Sequence, residues 1–563
     1  MAAPEQRNVR RWLTELAAGN RRWVQGAVLT GALAGIATIV QMVLLARIVH
    51  LGVIESVAAS ELTGLFVALI ITLVIRALFQ GLQTRLAAQC SKRVRRTARR
   101  QIHRHWQAAG PIAMSQESAG ALAREWIDHV EALHGYYARF LPQMQLSVIV
   151  PLLILALVFW LDWLAAVFLL LSAPLIPLFM ALVGMGAEKL NQQHFETISR
   201  LSGQFLDKVR GLTTLQLFGQ TESAANLLAR RSDRYRLVTM KTLKIAFLSS
   251  AVLEFFASVA IAVIAIYIGF GLLGYITFGP ADELTLLTGL LILLLAPEFF
   301  QPLRTLSQYY HDRAAALGAG TEILARLQHY PAGTREVKSE PPEAAAAGPS
   351  DQITLNQVSY THPGERTPWF RDLNLQIEKG HAVALTGPSG GGKSTLLHLL
   401  AGFLAPDSGE IRIFGQAPGK AGFGWLGQKG FLVHGTWADN LRLTSPDASD
   451  IAIDTALRRV GLGDLVDSRE DGIYSLVSDQ GRGLSGGQAR RLSLARIFLA
   501  DYDLILLDEP TAGLDSASEI FILESLRKLS EAGKTLIFST HHQALLTLAD
   551  RVLTVDNGKL ANA

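Results

Sequence analysis

Two acids and a lysine–serine pair, all in the last third of this chain, carry the residue types that phosphoryl chemistry needs. Gly387-Pro388-Ser389-Gly390-Gly391-Gly392-Lys393-Ser394 has the form GxxxxGK[ST]. Glycines in such a loop let successive backbone amides turn inward around phosphate oxygens, and the helix that follows adds its N-terminus. Lys393 is then placed to reach the β- and γ-phosphates of ATP, Ser394 to ligate Mg²⁺, and Thr395 to support the loop. Further along, four apolar residues, Leu504 to Leu507, end in Asp508 and Glu509. An aspartate there holds Mg²⁺ directly or through water, and a glutamate beside it polarises an attacking water. A flexible glycine turn and a solvated acidic turn are the plain alternatives, and finding both motifs in one chain argues against them.

These residues need elements to hold them. His381 to Thr386 reads as a strand and Lys393 to Leu400 as a helix, the setting a phosphate-binding loop requires. Ala382 to Leu385, Leu504 to Leu507 and Thr535 to Phe538 are short apolar strands that alternate with helical stretches. That rhythm predicts an α/β domain with a largely parallel sheet over 351–563. Before it, 331–350 is rich in Pro, Ala and Glu, a linker composition.

The first part of the chain has another character. Half of all 563 residues are apolar, only 18% are charged, and the mean hydropathy is positive. Apolar segments near 24–46, 61–82, 143–161, 164–186, 245–273 and 284–303 are long enough to span a bilayer. This predicts a membrane domain of six helices over 24–330 in a multi-pass membrane protein. Arg7, Arg10, Arg11, Arg21 and Arg22 precede the first span, and ten Lys or Arg residues lie in 83–140, whereas the links at 162–163 and 274–283 have none. That bias places both termini in the cytoplasm. It also accounts for the net charge of +4 without a nucleic-acid partner, because no base-reading motif accompanies it.

Residues 1–23 read as a cytoplasmic amphipathic segment, with Arg11 to Trp23 able to lie on the bilayer surface. A signal peptide is excluded because the apolar run that follows is too long and lacks a small-residue cleavage site. Two cytoplasmic insertions, 83–142 and 187–244, read mainly as helix. Legs of about 27 residues would reach about 40 Å, enough to carry a signal between membrane and ATPase. The single cysteine, Cys90, excludes an intrachain disulfide and a multi-cysteine metal site.

The order and spacing of further motifs make 351–563 resemble a complete ABC-type nucleotide-binding domain. The resemblance assigns roles residue by residue. Gln428 matches the glutamine that senses the γ-phosphate, joins the Mg²⁺ site and faces the membrane domain. Leu484-Ser485-Gly486-Gly487-Gln488 matches the signature that closes on the ATP of a second such domain, so a partner is implied. Ala512-Gly513-Leu514-Asp515 matches the D-loop and His541 the switch histidine. The position that stacks on adenine falls on His362, with Tyr360 two residues earlier, and either ring can serve. His542 stands where arginine is frequent, and Asp479 where glutamate is frequent.

Six spans ahead of one such domain resemble an ABC exporter half-transporter. YYARFLPQM (136–144), SAPLIPLFMALVGMGA (172–187), LSGQFLDKVRGLTTLQLFG (201–219), AFLSSAVLEFF (246–256) and LAPEFFQPLR (295–304) are similar to the CydD family, one half of the bacterial CydDC heterodimer. The resemblance implies a CydC-like partner, the inner membrane and a role in cytochrome bd assembly. It also implies export of cysteine and glutathione, or haem as ligand or cargo. A homodimeric lipid or drug exporter and an ATP-gated membrane sensor are the competing readings.

Within the spans, Arg76, Glu254 and Glu298 are charges that a bilayer disfavours and that face a partner or cavity. Pro297 and Pro302 are expected to kink the last span beside Glu298 and Gln301. His311, after Tyr309 and Tyr310, is a candidate haem ligand. Structural ion pairing is the plain reading of the carboxylates.

Overall fold

The computed structural model describes residues 4–562, apart from 116, 118, 175–207, 210, 277, 330–349, 363, 364, 366, 429 and 478–483. The expected linker, much of the fourth expected span and part of the second insertion therefore lie outside the described residues. The chain divides into two compact units, Met1–Ala108 with Glu117–Thr334, and Ala109–Gln116 with Arg335–Ala563.

The first unit is helical. Its described helices are α1 (Pro4–Ala18), α2 (Arg21–Val53), α3 (Thr63–Ser115, whose residues from Ala109 on count with the second unit), α4 (Gly120–Leu161), α5 (Trp163–Ser172), α6 (Thr221–Leu272), α7 (Leu286–Gln308) and α8 (Tyr310–His329). Among the described residues, five helical stretches are long and apolar enough to cross a membrane; α5 is a shorter apolar helix where the fourth expected span begins. With 52 residues α6 is about 80 Å long at the usual rise, and α3 runs about 70 Å before its break at Gly110. Each runs without a loop from an expected span into an expected insertion. The α3 helix breaks at Gly110, whose φ of 78° precedes Pro111, a residue with no amide to donate. Two π-helical turns in α4, Glu125–His129 and Tyr136–Phe140, have no signal in the sequence.

Packing in this unit turns on small residues. A Cβ built on Gly31 of α2 would lie 2.5 Å from Leu146 Cδ1, and one on Gly35 would lie 2.8 Å from Val150 Cγ2. Ala27, Gly31 and Gly35 thus form a four-residue repeat that lets α2 and α4 approach closely, as small residues do between helices in lipid. Between α4 and α5, Asp162 is buried and fully engaged. One carboxylate oxygen accepts from the amides of Leu164 and Ala165, both at 2.9 Å, and the other accepts from the Tyr267 hydroxyl at 2.9 Å. The expected tight link at 162–163 is therefore a capped turn tied to α6.

The amphipathic expectation for the N-terminal segment takes a different form. Val9, Trp12, Leu13 and Leu16 are buried in one cluster with Val94, Ala98 and Ile102 of α3. The Tyr137 hydroxyl donates to the Leu13 carbonyl at 2.7 Å. The apolar face of α1 is spent on protein, which leaves none for a bilayer.

The second unit has a six-stranded sheet flanked by a smaller antiparallel one. The small sheet pairs β2 (Phe370–Glu378), β1 (Gln352–Tyr360) and β4 (Ser408–Ile413). The large sheet contains β3 (Ala382–Thr386), β5 (Phe423–Leu426), β8 (Leu504–Asp508), β9 (Thr535–Ser539), β10 (Arg551–Asp556) and β11 (Lys559–Asn562), in the order β11-β10-β3-β9-β8-β5. The short β6 (Gly435–Thr436) and β7 (Leu476–Val477) pair apart from it. Only β11 runs antiparallel to its neighbour. Alternate residues of β8 fill two cores: Ile505 and Leu507 on one side, Leu504 and Leu506 on the other. Burial on both faces is why these strands read as unbroken apolar runs.

We expect Gly31→Val to force α2 from α4 and cost about 1–3 kcal/mol, read as a lower Tm of the purified protein. Gly64→Ala, with nothing within 4 Å of the new Cβ, should leave Tm unchanged or slightly higher.

Candidate ATP site

In a parallel sheet, ligands gather at the carboxyl ends of the strands. Here β3, β9 and β8 are neighbours, and each ends in a residue type expected to do chemistry. After β3 comes the glycine-rich loop, capped by α9 (Lys393–Leu400). After β8 come Asp508 and Glu509, and after β9 come Thr540 and His541.

The loop is shaped by contacts that exclude side chains. Gly387 has φ 131°, and a Cβ there would lie 2.1 Å from the Val555 carbonyl oxygen. Gly392, the N-cap of α9, has φ 109°, and its Cβ would meet Trp369 Nε1 at 2.5 Å. Pro388, Ser389 and Gly390 stand exposed at the crown, whereas Gly391, Gly392 and Lys393 are buried. The Lys393 ammonium curls back to donate to the carbonyls of Gly387 and Pro388, at 2.8 and 2.9 Å. Burial pushes it below the usual lysine range, opposed by the charges of Glu509 and Asp508. Thr395 lies in the first turn of α9, half-buried.

The acids are held by hydroxyls. Ser394 Oγ donates to Asp508 Oδ1 at 3.1 Å, and Ser539 Oγ donates to the same oxygen at 2.7 Å. Ser539 Oγ in turn accepts from the Glu509 amide at 2.8 Å. Glu509 has φ 49°, a left-handed conformation that costs a non-glycine residue about 1–3 kcal/mol. Its carboxylate lies 3.3 Å from His541 Nε2. His542 pairs instead with Glu519, at 3.1 Å.

The remaining motif residues sit as follows. Gln428, just past β5, has an exposed side chain, and among the described residues no hydrogen bond joins it to Ser394 or Asp508. Ser485 caps α10 (Gly486–Ala500): its hydroxyl accepts from the Gln488 amide at 3.1 Å, and Gln488 Oε1 accepts from the Ser485 amide at 2.9 Å. The signature is thus a capping box of the S-x-x-Q kind. A Cβ on Gly487 would lie 2.3 Å from Ser518 Oγ, whereas Gly486 faces open space. Asp515 caps α11 (Ser516–Glu531), and the Ser518 amide holds its carboxyl below the usual carboxylate range. The stretch that contains Asp479 lies outside the described residues.

Of the two rings proposed for adenine, Tyr360 is 5% exposed and belongs to the core beneath β1 and β2. Burial removes the face a base would stack on, so it is corrected to a core residue. His362 is half-buried, 5.1 Å from the Tyr360 ring and 5.7 Å from Trp369. Among the weak membrane candidates, Glu254 pairs with Arg304 at 3.2 Å, which matches the structural alternative. Glu298 is half-buried, with no ion pair among the described residues. Arg76 donates to Gln41 Oε1 at 2.9 Å. The α7 helix continues through Pro297 and Pro302, and the Pro302 carbonyl accepts from Gln143 at 2.9 Å. His311 Nδ1 meets the Gln308 carbonyl, and its Nε2 lies 3.2 Å from the Asp312 carboxylate.

Three residues escaped the sequence reading. Ser539 had a signal, a small hydroxyl ending a buried strand just before the expected switch histidine. Trp369 had none. Arg496 sits eight residues past Gln488 and donates to the carbonyls of Asn440 and Phe431, at 2.7 and 2.6 Å. It fixes the segment that follows Gln428, and burial pushes its guanidinium down to about 10.

Comparison with known proteins extends these observations to the whole chain. The model of the ABC transporter transmembrane region matches residues 26–295, and that of the ABC transporter matches 370–512. The chain is 38% identical to the glutathione/L-cysteine transport system ATP-binding/permease protein CydD of Haemophilus influenzae, over 99% of this chain and 94% of that protein. It is also 38% identical to the Escherichia coli protein of the same name, over 100% and 95%. The structure of a bacterial Atm1-family ABC exporter with ATP bound superposes with a TM-score of 0.77 at 20% identity, covering 96% of this chain and 94% of that one; it shares the fold. Membrane helices and an ATP-binding domain fused in one chain, with identity sustained end to end, make this protein a member of the CydD family of ABC transporters, which couple ATP hydrolysis to transport.

Proposed function

We propose that this chain is one half of a heterodimeric exporter, pairs with a CydC-like half-transporter in the bacterial inner membrane, and moves small thiols of the cysteine and glutathione class. The observation that carries the ATP-driven part is the convergence of Ser394, Asp508, Glu509 and His541 at adjoining strand ends, beside Lys393. Lys393 is already desolvated, so it needs only to exchange two carbonyls for phosphate oxygens. Ser394 Oγ and Asp508 Oδ1 are hard oxygen donors 3.1 Å apart, a set that suits Mg²⁺. Bound there, the ion would neutralise charge on the phosphates. Glu509 is the group that orients and deprotonates water, with His541 fixing the carboxylate's direction. Gln428 and His362 complete the pocket on the γ-phosphate and base sides. Ser485, Gly486, Gly487 and Gln488 serve the partner's ATP, with the open face of Gly486 turned outward and Asp515 holding the adjoining loop.

The thiol cargo follows the names of the relatives. Haem has no support beyond the residue type of His311, whose Nδ1 is engaged by the Gln308 carbonyl and whose Nε2 lies against the Asp312 carboxylate. The basic N-terminal residues and the cationic 83–140 stretch support cytoplasmic termini.

Glu509→Gln in the assembled complex should still bind ATP while turnover falls about 10²–10⁴-fold, the range for losing a general base. Wild-type turnover by a pair mutated in both subunits would sink the mechanism. Inverted vesicles bearing this chain and its CydC-like partner should accumulate labelled glutathione or cysteine only with ATP. Uptake of haem alone, or uptake by this chain without its partner, would overturn the cargo or the pairing.

A further inference from the structure

Two residues past the signature glutamine, Arg490 is only 5% exposed, yet its guanidinium faces no carboxylate within hydrogen-bond reach among the described residues. One terminal nitrogen donates to the Ala512 carbonyl at 2.8 Å. The other donates to the Gln428 carbonyl. These carbonyls belong to two separate loops. Ala512 lies within the turn that runs from Glu509 to the cap of α11, and Gln428 follows the edge strand β5. Neither is satisfied by the sheet, and both converge on the first turns of α10, whose N-cap is Ser485.

A planar guanidinium presents its donors in a fixed fork, so two carbonyls bound to it hold a fixed distance from each other. Burying a cation also carries a desolvation cost that an apolar residue of the same size avoids. The adjacent Arg491 is the contrast, a buried guanidinium that bridges no two loops. It is similarly buried, lies 4.9 Å over the Phe521 ring and donates to the Gly461 carbonyl at 2.9 Å; it bonds to neither loop, and only its charge reaches Asp515.

We infer that Arg490 is a positioning residue that ties the Gln428 loop, the Ala512–Asp515 loop and the signature end of α10 into one moving part. Displacement of Gln428 is then passed to Asp515 and to the partner-facing glycines without slack. Glu509 lies three residues before Ala512, so the same fork also limits how far the hydrolytic carboxylate can drift.

The inference rests on the ATP-driven reading above, and its test keeps the two separable. The complex with its partner subunit, reconstituted in lipid nanodiscs, is compared as wild type, Arg490→Met, Arg490→Lys and Arg491→Met, by ATPase kinetics and by Tm. Wild-type turnover measured alongside tests the underlying reading on its own. Arg490→Met should lower kcat about ten- to a hundredfold through misplacement, with KM for ATP within about twofold of wild type. Arg490→Lys, which keeps one donor to one carbonyl, should recover part of kcat. Arg491→Met should lower Tm as much as Arg490→Met while keeping kcat near wild type. A kcat loss that merely follows Tm across the three variants overturns the proposal, as does an Arg490→Met complex with wild-type kcat. If Arg490→Met does not assemble, the contrast between Arg490→Lys and Arg491→Met decides by the same criteria.

Discussion

One hydroxyl holds the chemistry of this chain together. Ser539 Oγ donates a hydrogen bond to Asp508 and accepts one from the Glu509 amide. It therefore fixes two neighbouring acids with opposite requirements. Asp508 must point back at Ser394, and Glu509 must point away into the pocket. The left-handed backbone at Glu509 makes that divergence possible, and its strain is tolerated because the Ser539 bond and the strand pairing of Asp508 with Ser539 over-determine the turn. Everything upstream serves this register. The parallel alignment of β3, β9 and β8 brings the three strand ends level, and the two cores hold the sheet from both faces.

Much of this was legible because it is local. The glycine-rich loop, the apolar strand ending in two acids and the paired capping residues of the signature each fit within a few residues, so spacing alone announces them. Apolar stretches were equally plain, since bilayer thickness fixes their length. What could not be read were relations that join distant positions. Tyr360 and His362 differ by two residues in sequence, yet one is core and the other is half open, because β1 ends at Tyr360 and His362 lies in the loop beyond it. Ser539 and Arg496 act through bonds that span 31 and 65 residues. The amphipathic pattern of the first helix was legible, but whether lipid or protein would cover it was not. Val94, Ala98 and Ile102, four residues apart on α3, supply the answer.

The membrane unit makes a related point about buried polarity. Asp162, Glu254 and Arg304 look alike in sequence, as charges in or near apolar runs. Asp162 satisfies two amides and a hydroxyl and so behaves as a helix cap that also fastens α6. Glu254 and Arg304 satisfy each other. Charges placed against a bilayer need not announce cargo, and here most of them are accounted for by their neighbours.

The capping box at the signature has a consequence for kinetics. Ser485 and Gln488 each complete the other's hydrogen bonds within this chain, so the end of α10 owes its shape to its own residues. Association then asks for little further ordering of backbone at that surface, and the entropy lost on contact is correspondingly small. A surface made ready in this way can open and close repeatedly without unfolding and rebuilding itself. On the pairing proposed above, each closure would meet a helix end that needs no rebuilding between strokes.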